Sequence, residues 1–213
     1  RQCRMYAPFQ LFYFLASIAF WHGFEAQSLR GGGALQPEAA RAKTILFFPL
    51  LLLLAGLFLA VAVTLHDLGV ALVGVTGIYI AARFVQVAWS QGMRKALSSK
   101  AGIALTIGLI AAGLIILLQW DLVLKYVRKA FWMPSWAENT SFSATYYAWR
   151  YFWQFPLLCL LSPLALVYQL RKHGKFGLFL VISFVVPFVF HSLVFPMKRE
   201  RYVYHLFPFF AVI

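Results

Sequence analysis

The residues best suited to chemistry stand together in "FPMKRERYVYHLFPFF", 195–210. Lys198, Arg199 and Arg201 surround a single acid, Glu200, and Tyr202, Tyr204 and His205 follow at once. Arginine and lysine bind phosphate oxygens through charge-assisted hydrogen bonds. Tyrosine hydroxyls and the open N–H groups of a helix start add donors. Such a knot between two apolar runs suits a phosphate group held at the edge of an apolar phase. It equally suits an anchor that ties a helix to lipid head groups.

Transfer of a group to a hydroxyl needs a carboxylate within hydrogen-bond reach of that hydroxyl. The chain has 6 acids. Asp67, beside His66 in a short turn between two apolar runs, is the best placed of them. It also fits as the cap of the helix that follows. Two adjacent ligands are too few to hold a metal ion, so no metal and no cofactor is expected. His191 lies within an apolar run, two helical turns before Lys198, as a polar lining residue. Arg4 and Tyr6 stand just ahead of the first apolar run and could reach the same phosphate. Cys3 and Cys159 are read as unpaired thiols. The triple glycine 31–33 reads as a turn, and no glycine-rich phosphate loop follows a strand, which argues against a nucleotide-sugar donor.

These residues must be positioned by helices in a membrane. Of 213 residues, 62% are hydrophobic and only 12% charged, against roughly a quarter charged in a soluble domain. Apolar runs at 8–24, 44–65, 67–89, 101–119, 149–169 and 176–195 predict six complete spans, and a seventh opens at 202. Helix is the expected form, because every backbone polar group must be satisfied within lipid. The small-residue pairs Gly77/Ala81 and Gly108/Ala112 are spaced for close helix packing. Pro156, Pro163 and Pro187 predict kinks in the fifth and sixth spans.

The net charge of +13 would suggest nucleic acid in a soluble protein. Here the basic residues lie between apolar runs, which makes them topology signals and contacts to anionic lipid, with no nucleic-acid partner. They divide evenly between the two faces. The face holding 25–43, 90–100 and 170–175 has the shorter loops and is expected to be cytoplasmic. The opposite face holds 1–7, the His66-Asp67 turn, the loop 120–148 and the 197–201 knot. Within 120–148, the segment "DLVLKYVRKAFW" predicts a short amphipathic helix on the membrane surface, flanked by Trp120, Trp132 and Trp136.

The run "FHSLVFPMKRERYVYHLFPFF", 190–210, resembles a segment of the C-type (GT-C) integral-membrane glycosyltransferases. It is similar to the branch containing the dolichyl-phosphate-mannose protein mannosyltransferases and the lipid A aminoarabinose transferases, through Ser192, Lys198, Tyr202 and Pro208. Lys198, Glu200 and Arg201 also resemble the His-Lys-Glu-x-Arg-Phe motif of lumenal lipid-linked mannosyltransferases. "RMYAPFQLFYFLA" at the start and "TLHDLG", 64–69, resemble two further segments of the family.

The resemblance implies an all-α, polytopic transmembrane bundle that is part of a larger module. It implies transfer of a sugar from a dolichyl- or undecaprenyl-phosphate carrier to an extracytoplasmic glycan, lipid or protein. Lys198, Arg199, Arg201 and Tyr202 would hold the carrier phosphate, with Arg4, Tyr6, His66 and His191 in support. The acidic catalytic pair of the family has no counterpart here and is expected upstream of Arg1, which leaves Asp67 as the candidate within the chain. The expected location is a bacterial inner membrane or its equivalent, with the active face extracytoplasmic. A transporter or flippase of lipid-linked sugars is the first alternative, although the chain shows no transport repeat. A non-catalytic membrane scaffold is the second. An Asp-Glu pair in the upstream sequence would favour the enzyme over both.

Overall fold

The structure, a computed structural model, describes residues 3–25, 38–66, 69–130, 145–193 and 206. Among them all regular structure is helical. The helices are α1 (Cys3–Glu25), α2 (Glu38–Leu65), α3 (Val70–Gln91), α4 (Met93–Ser98), α5 (Lys100–Leu118), α6 (Trp120–Ala130), α7 (Tyr146–Gln154) and α8 (Pro156–Leu193).

Three of them, α3, α5 and α8, are long and apolar enough to cross a membrane. The case is plainest for α5. Leu109, Ile110, Leu114, Ile115, Ile116 and Leu117 are all exposed, Leu117 to 78%. They cover every side of the helix, whereas a helix on a water-facing surface buries one apolar stripe and exposes a polar one. A helix apolar all round needs an apolar surround, and a bilayer supplies it.

The breaks between helices have local causes. Gly92 takes φ 86°, a left-handed conformation open to glycine, and turns α3 into α4. Ser99 then caps α5, its Oγ accepting from the Gly102 N–H at 3.1 Å. Phe155 leaves the helical region immediately before Pro156, as the residue ahead of a proline is pushed to do. The predicted fifth span, 149–169, is therefore not one helix. Its first residues belong to α7, and α8 starts afresh at Pro156.

Inside α8 the chain bends at Gly174, with φ 49° and ψ −108°. A Cβ placed on Gly177 would collide with the Gln169 carbonyl. In a straight helix those residues would be about 12 Å apart along the axis. The chain therefore doubles back at Gly174, and α8 is two arms, 156–173 and 175–193. Gly102 plays a like part at the α4–α5 corner, where a Cβ would strike the carbonyls of Ala96 and Leu97.

The glycines expected to mark close packing are elsewhere. Around Gly77 and Gly108 an added Cβ would meet nothing within 4 Å. Their spacing permits close approach, but among the described residues no helix approaches them. Tight contact occurs instead at Gly23, whose Cβ would lie 2.8 Å from the Leu52 side chain.

The chain divides into two compact units, one of Arg1–Val73 with Tyr204–Val212, the other of Gly74–Val203 with Ile213. In the first, α1 and α2 form an antiparallel hairpin, with Phe9 against His66 at one end and Gly23 against Leu52 towards the other. Small residues line its seam, Ala16 and Ala19 from α1 and Ala55 and Ala62 from α2, all buried. In the second unit, Tyr79 of α3 meets Phe179 of α8 edge-on at 5.3 Å. Tyr151 of α7 meets Phe188 at 5.9 Å.

Candidate functional site

The site is best built from the end of the α1–α2 hairpin where the chain leaves α2. The last residue of α2 is Leu65, and His66 donates its N–H to the Ala62 carbonyl at 2.9 Å, one more helical bond. Its carbonyl then accepts from the Gly69 N–H, also at 2.9 Å. That turn has no room for a side chain at Gly69, where a Cβ would lie 2.8 Å from the Val63 nitrogen. Gly69 thus lies back against the last turn of α2, and His66 stands at the rim.

His66 is half-buried, and its ring lies against Phe9 with centroids 5.3 Å apart and planes at 35°. Phe9 in turn meets Tyr13 edge-on at 5.8 Å. Both Phe9 and Tyr13 are buried, so His66 closes an aromatic column that runs down the hairpin seam. Arg4 and Tyr6 belong to the first two turns of the same α1. Arg4 precedes Phe9 by five residues, about 7.5 Å of helix rise. The N-terminal part of α1 and His66 therefore lie at the same end of this hairpin. Leu206, four residues beyond Tyr202, is buried and belongs to the same unit.

Lys198, Arg199, Arg201, Tyr202 and Asp67 lie outside the described residues, as do the start of the seventh span and the glycines 31–33. His191 is placed in the second unit. It is fully buried near the end of α8. It shares a face with Pro187 and Ser183, each four residues apart and each buried. The Ser183 Oγ has no hydrogen-bond partner among the described residues. Pro187 has no N–H to offer the Ser183 carbonyl, the partner that carbonyl would have in a regular helix. A concentration of hydrogen-bonding capacity therefore lies inside an apolar arm.

Two buried polar positions were missed from sequence. Tyr13 is fully buried in α1, and Glu25, assigned to the cytoplasmic face, is only 5% exposed at the end of that helix. The signal for Tyr13 was present, since Phe9, Tyr13 and Ala16 recur at helical spacing. Arg83, within α3, donates from its guanidinium to the Gln86 side chain one turn on. Among the described residues, no three His, Cys, Asp or Glu side chains come together as a metal site. Compared with protein-family models, curated proteins and solved structures, the chain finds no match.

Proposed function

We propose that this chain is part of a multi-pass membrane glycosyltransferase that takes a sugar from a polyprenyl-phosphate carrier and passes it to an acceptor on the extracytoplasmic side. The contact between Phe9 and His66 carries the reading. It brings the N-terminal part of α1 and His66 together at one end of a helical hairpin. In the sequence reading, the basic knot belongs to the same side of the membrane.

The finer topology follows the same reading. The two arms of α8 are about 27 and 28 Å long at 1.5 Å per residue, each close to the roughly 30 Å hydrocarbon core of a bilayer. They act as the fifth and sixth of six full spans, with the corner at Gly174 on the cytoplasmic face. α1 and α2 supply the first two, and a seventh opens at Tyr202.

In the reaction, an acceptor hydroxyl oxygen attacks C1 of the sugar. The bond from C1 to the phosphate oxygen breaks, and polyprenyl phosphate leaves with the electron pair. The hydroxyl proton passes to a carboxylate, supplied upstream of Arg1 or by Asp67. Lys198, Arg199 and Arg201 stabilise the charge that develops on the leaving phosphate, and Tyr202 donates to it. Arg4, Tyr6 and His66 complete the donor set around the head group.

The test measures binding of a polyprenyl phosphate, against the same lipid without phosphate, by the full-length protein that contains this chain. Wild type is compared with Lys198→Ala and Tyr202→Phe. Loss of the phosphate preference in both variants supports the carrier site, and unchanged preference sinks it. Binding without sugar transfer, in a parent that contains the upstream segments, would move the reading to a transporter.

A further inference from the structure

The helix α6 has a patterned surface that the transfer reaction does not use. Trp120, Val123, Leu124 and Val127 recur at spacings of three and four and share one face. Asp121, Lys125 and Arg128 share another. All three of those charged residues are exposed, and so are Trp120 at 54% and Val127 at 47%. The described residues therefore leave much of the apolar stripe bare. The helix is also placed where a bilayer ends. It follows α5, which is apolar on all sides, after a single break at Gln119 with φ −131° and ψ 40°. That break lets α6 leave the axis of α5 as the chain emerges.

We propose that α6 lies flat on the bilayer as a docking surface for anionic lipid, with its Trp120–Val127 stripe at the acyl boundary and Lys125 and Arg128 on the phosphates of the head groups. The balance of charge fits this occupant. Asp121, the one acid of α6, sits in its first turn, where the helix dipole favours a negative charge. The exposed charge beyond that turn is basic. Continuity fits as well, because the apolar surround that α5 needs reaches to the start of α6. A basic helix with an apolar stripe binds such a surface through buried apolar area plus attraction to anionic lipid. The proposal rests on reading α5 as a span and is independent of sugar transfer.

The test places a spin label at Val127→Cys in the full-length protein, with Cys3 and Cys159 replaced by serine. The protein is reconstituted in phosphatidylcholine vesicles with or without phosphatidylglycerol. Accessibility to oxygen, which partitions into lipid, is compared with accessibility to a water-soluble nickel chelate. Oxygen access should dominate when phosphatidylglycerol is present. In the Lys125→Gln/Arg128→Gln variant, the ratio of docked to undocked label should fall about thirtyfold, roughly fivefold for each charge removed. Lys125→Arg and the distant Lys172→Gln should leave it unchanged. Three results would overturn the proposal: nickel access that dominates in both membranes, a label that ignores phosphatidylglycerol, or a label already shielded in lipid-free detergent by protein. None of these would bear on the polyprenyl-phosphate assay, which reads Lys198 and Tyr202.

Discussion

The ring of His66, just past the end of α2, packs on the ring of Phe9 in α1 with centroids 5.3 Å apart. This contact closes one end of the α1–α2 hairpin. It joins a buried aromatic column to a polar rim, and packing and ligand binding at His66 can be separated by substitution. His66→Phe keeps a ring against Phe9 and removes the imidazole nitrogens. The melting temperature in detergent should stay close to wild type, while phosphate-dependent polyprenyl-lipid binding falls. Phe9→Ala truncates a core residue that is 1% exposed, and should destabilise the hairpin by about 3–5 kcal/mol, read as a lower melting temperature.

The corner at Gly174 gives a second expectation. Gly177→Ala drives a methyl group into the Gln169 carbonyl, which is backbone and cannot swing aside. The variant should lose more than about 2 kcal/mol, or fail to accumulate as folded protein. Gly77→Ala and Gly108→Ala are the controls, since both sit mid-helix in open space. Each should be neutral or stabilising by up to about 1 kcal/mol, because alanine is the better helix former. Equal losses at all three glycines would remove the distinction between corner and span.

Ser99 holds the start of α5 from both sides. Its Oγ accepts from the Gly102 N–H at 3.1 Å and donates to the Ala96 carbonyl at 2.6 Å. Ser99→Ala should cost about 0.5–2 kcal/mol, and Ser99→Asp, which keeps the acceptor, should recover part of it. Thermal unfolding in detergent reads both.

The buried face of α8 predicts the opposite sign. Ser183→Ala removes a hydroxyl that has no hydrogen-bond partner among the described residues, so stability should hold or rise. Pro187→Ala restores an N–H to the Ser183 carbonyl and should also stabilise the arm. A marked fall in melting temperature for Ser183→Ala would mean that the hydroxyl serves a bound group, such as an ordered water.

The sequence by itself determined that the described chain is helical and carries segments long and apolar enough to cross a membrane, because long uncharged runs leave the backbone no other way to satisfy its hydrogen bonds in lipid. It placed α3 and α5 within a few residues of their observed limits and marked 120–130 as amphipathic. It separated the two arms of α8 by the basic residues Arg171, Lys172 and Lys175. It predicted that the start of α1 and His66 share one end, and Phe9 of α1 does lie against His66. Tertiary structure alone decided which small residues matter. Gly77 and Gly108 have the spacing for close packing yet face open space, whereas Gly69, Gly102 and Gly177 sit at corners where backbone meets backbone. Spacing along a chain states what could approach, and only the path of the chain states what does. The pairing of Phe9 with His66 and the burial of Tyr13 were decided in the same way, by which face of α1 the second helix covers.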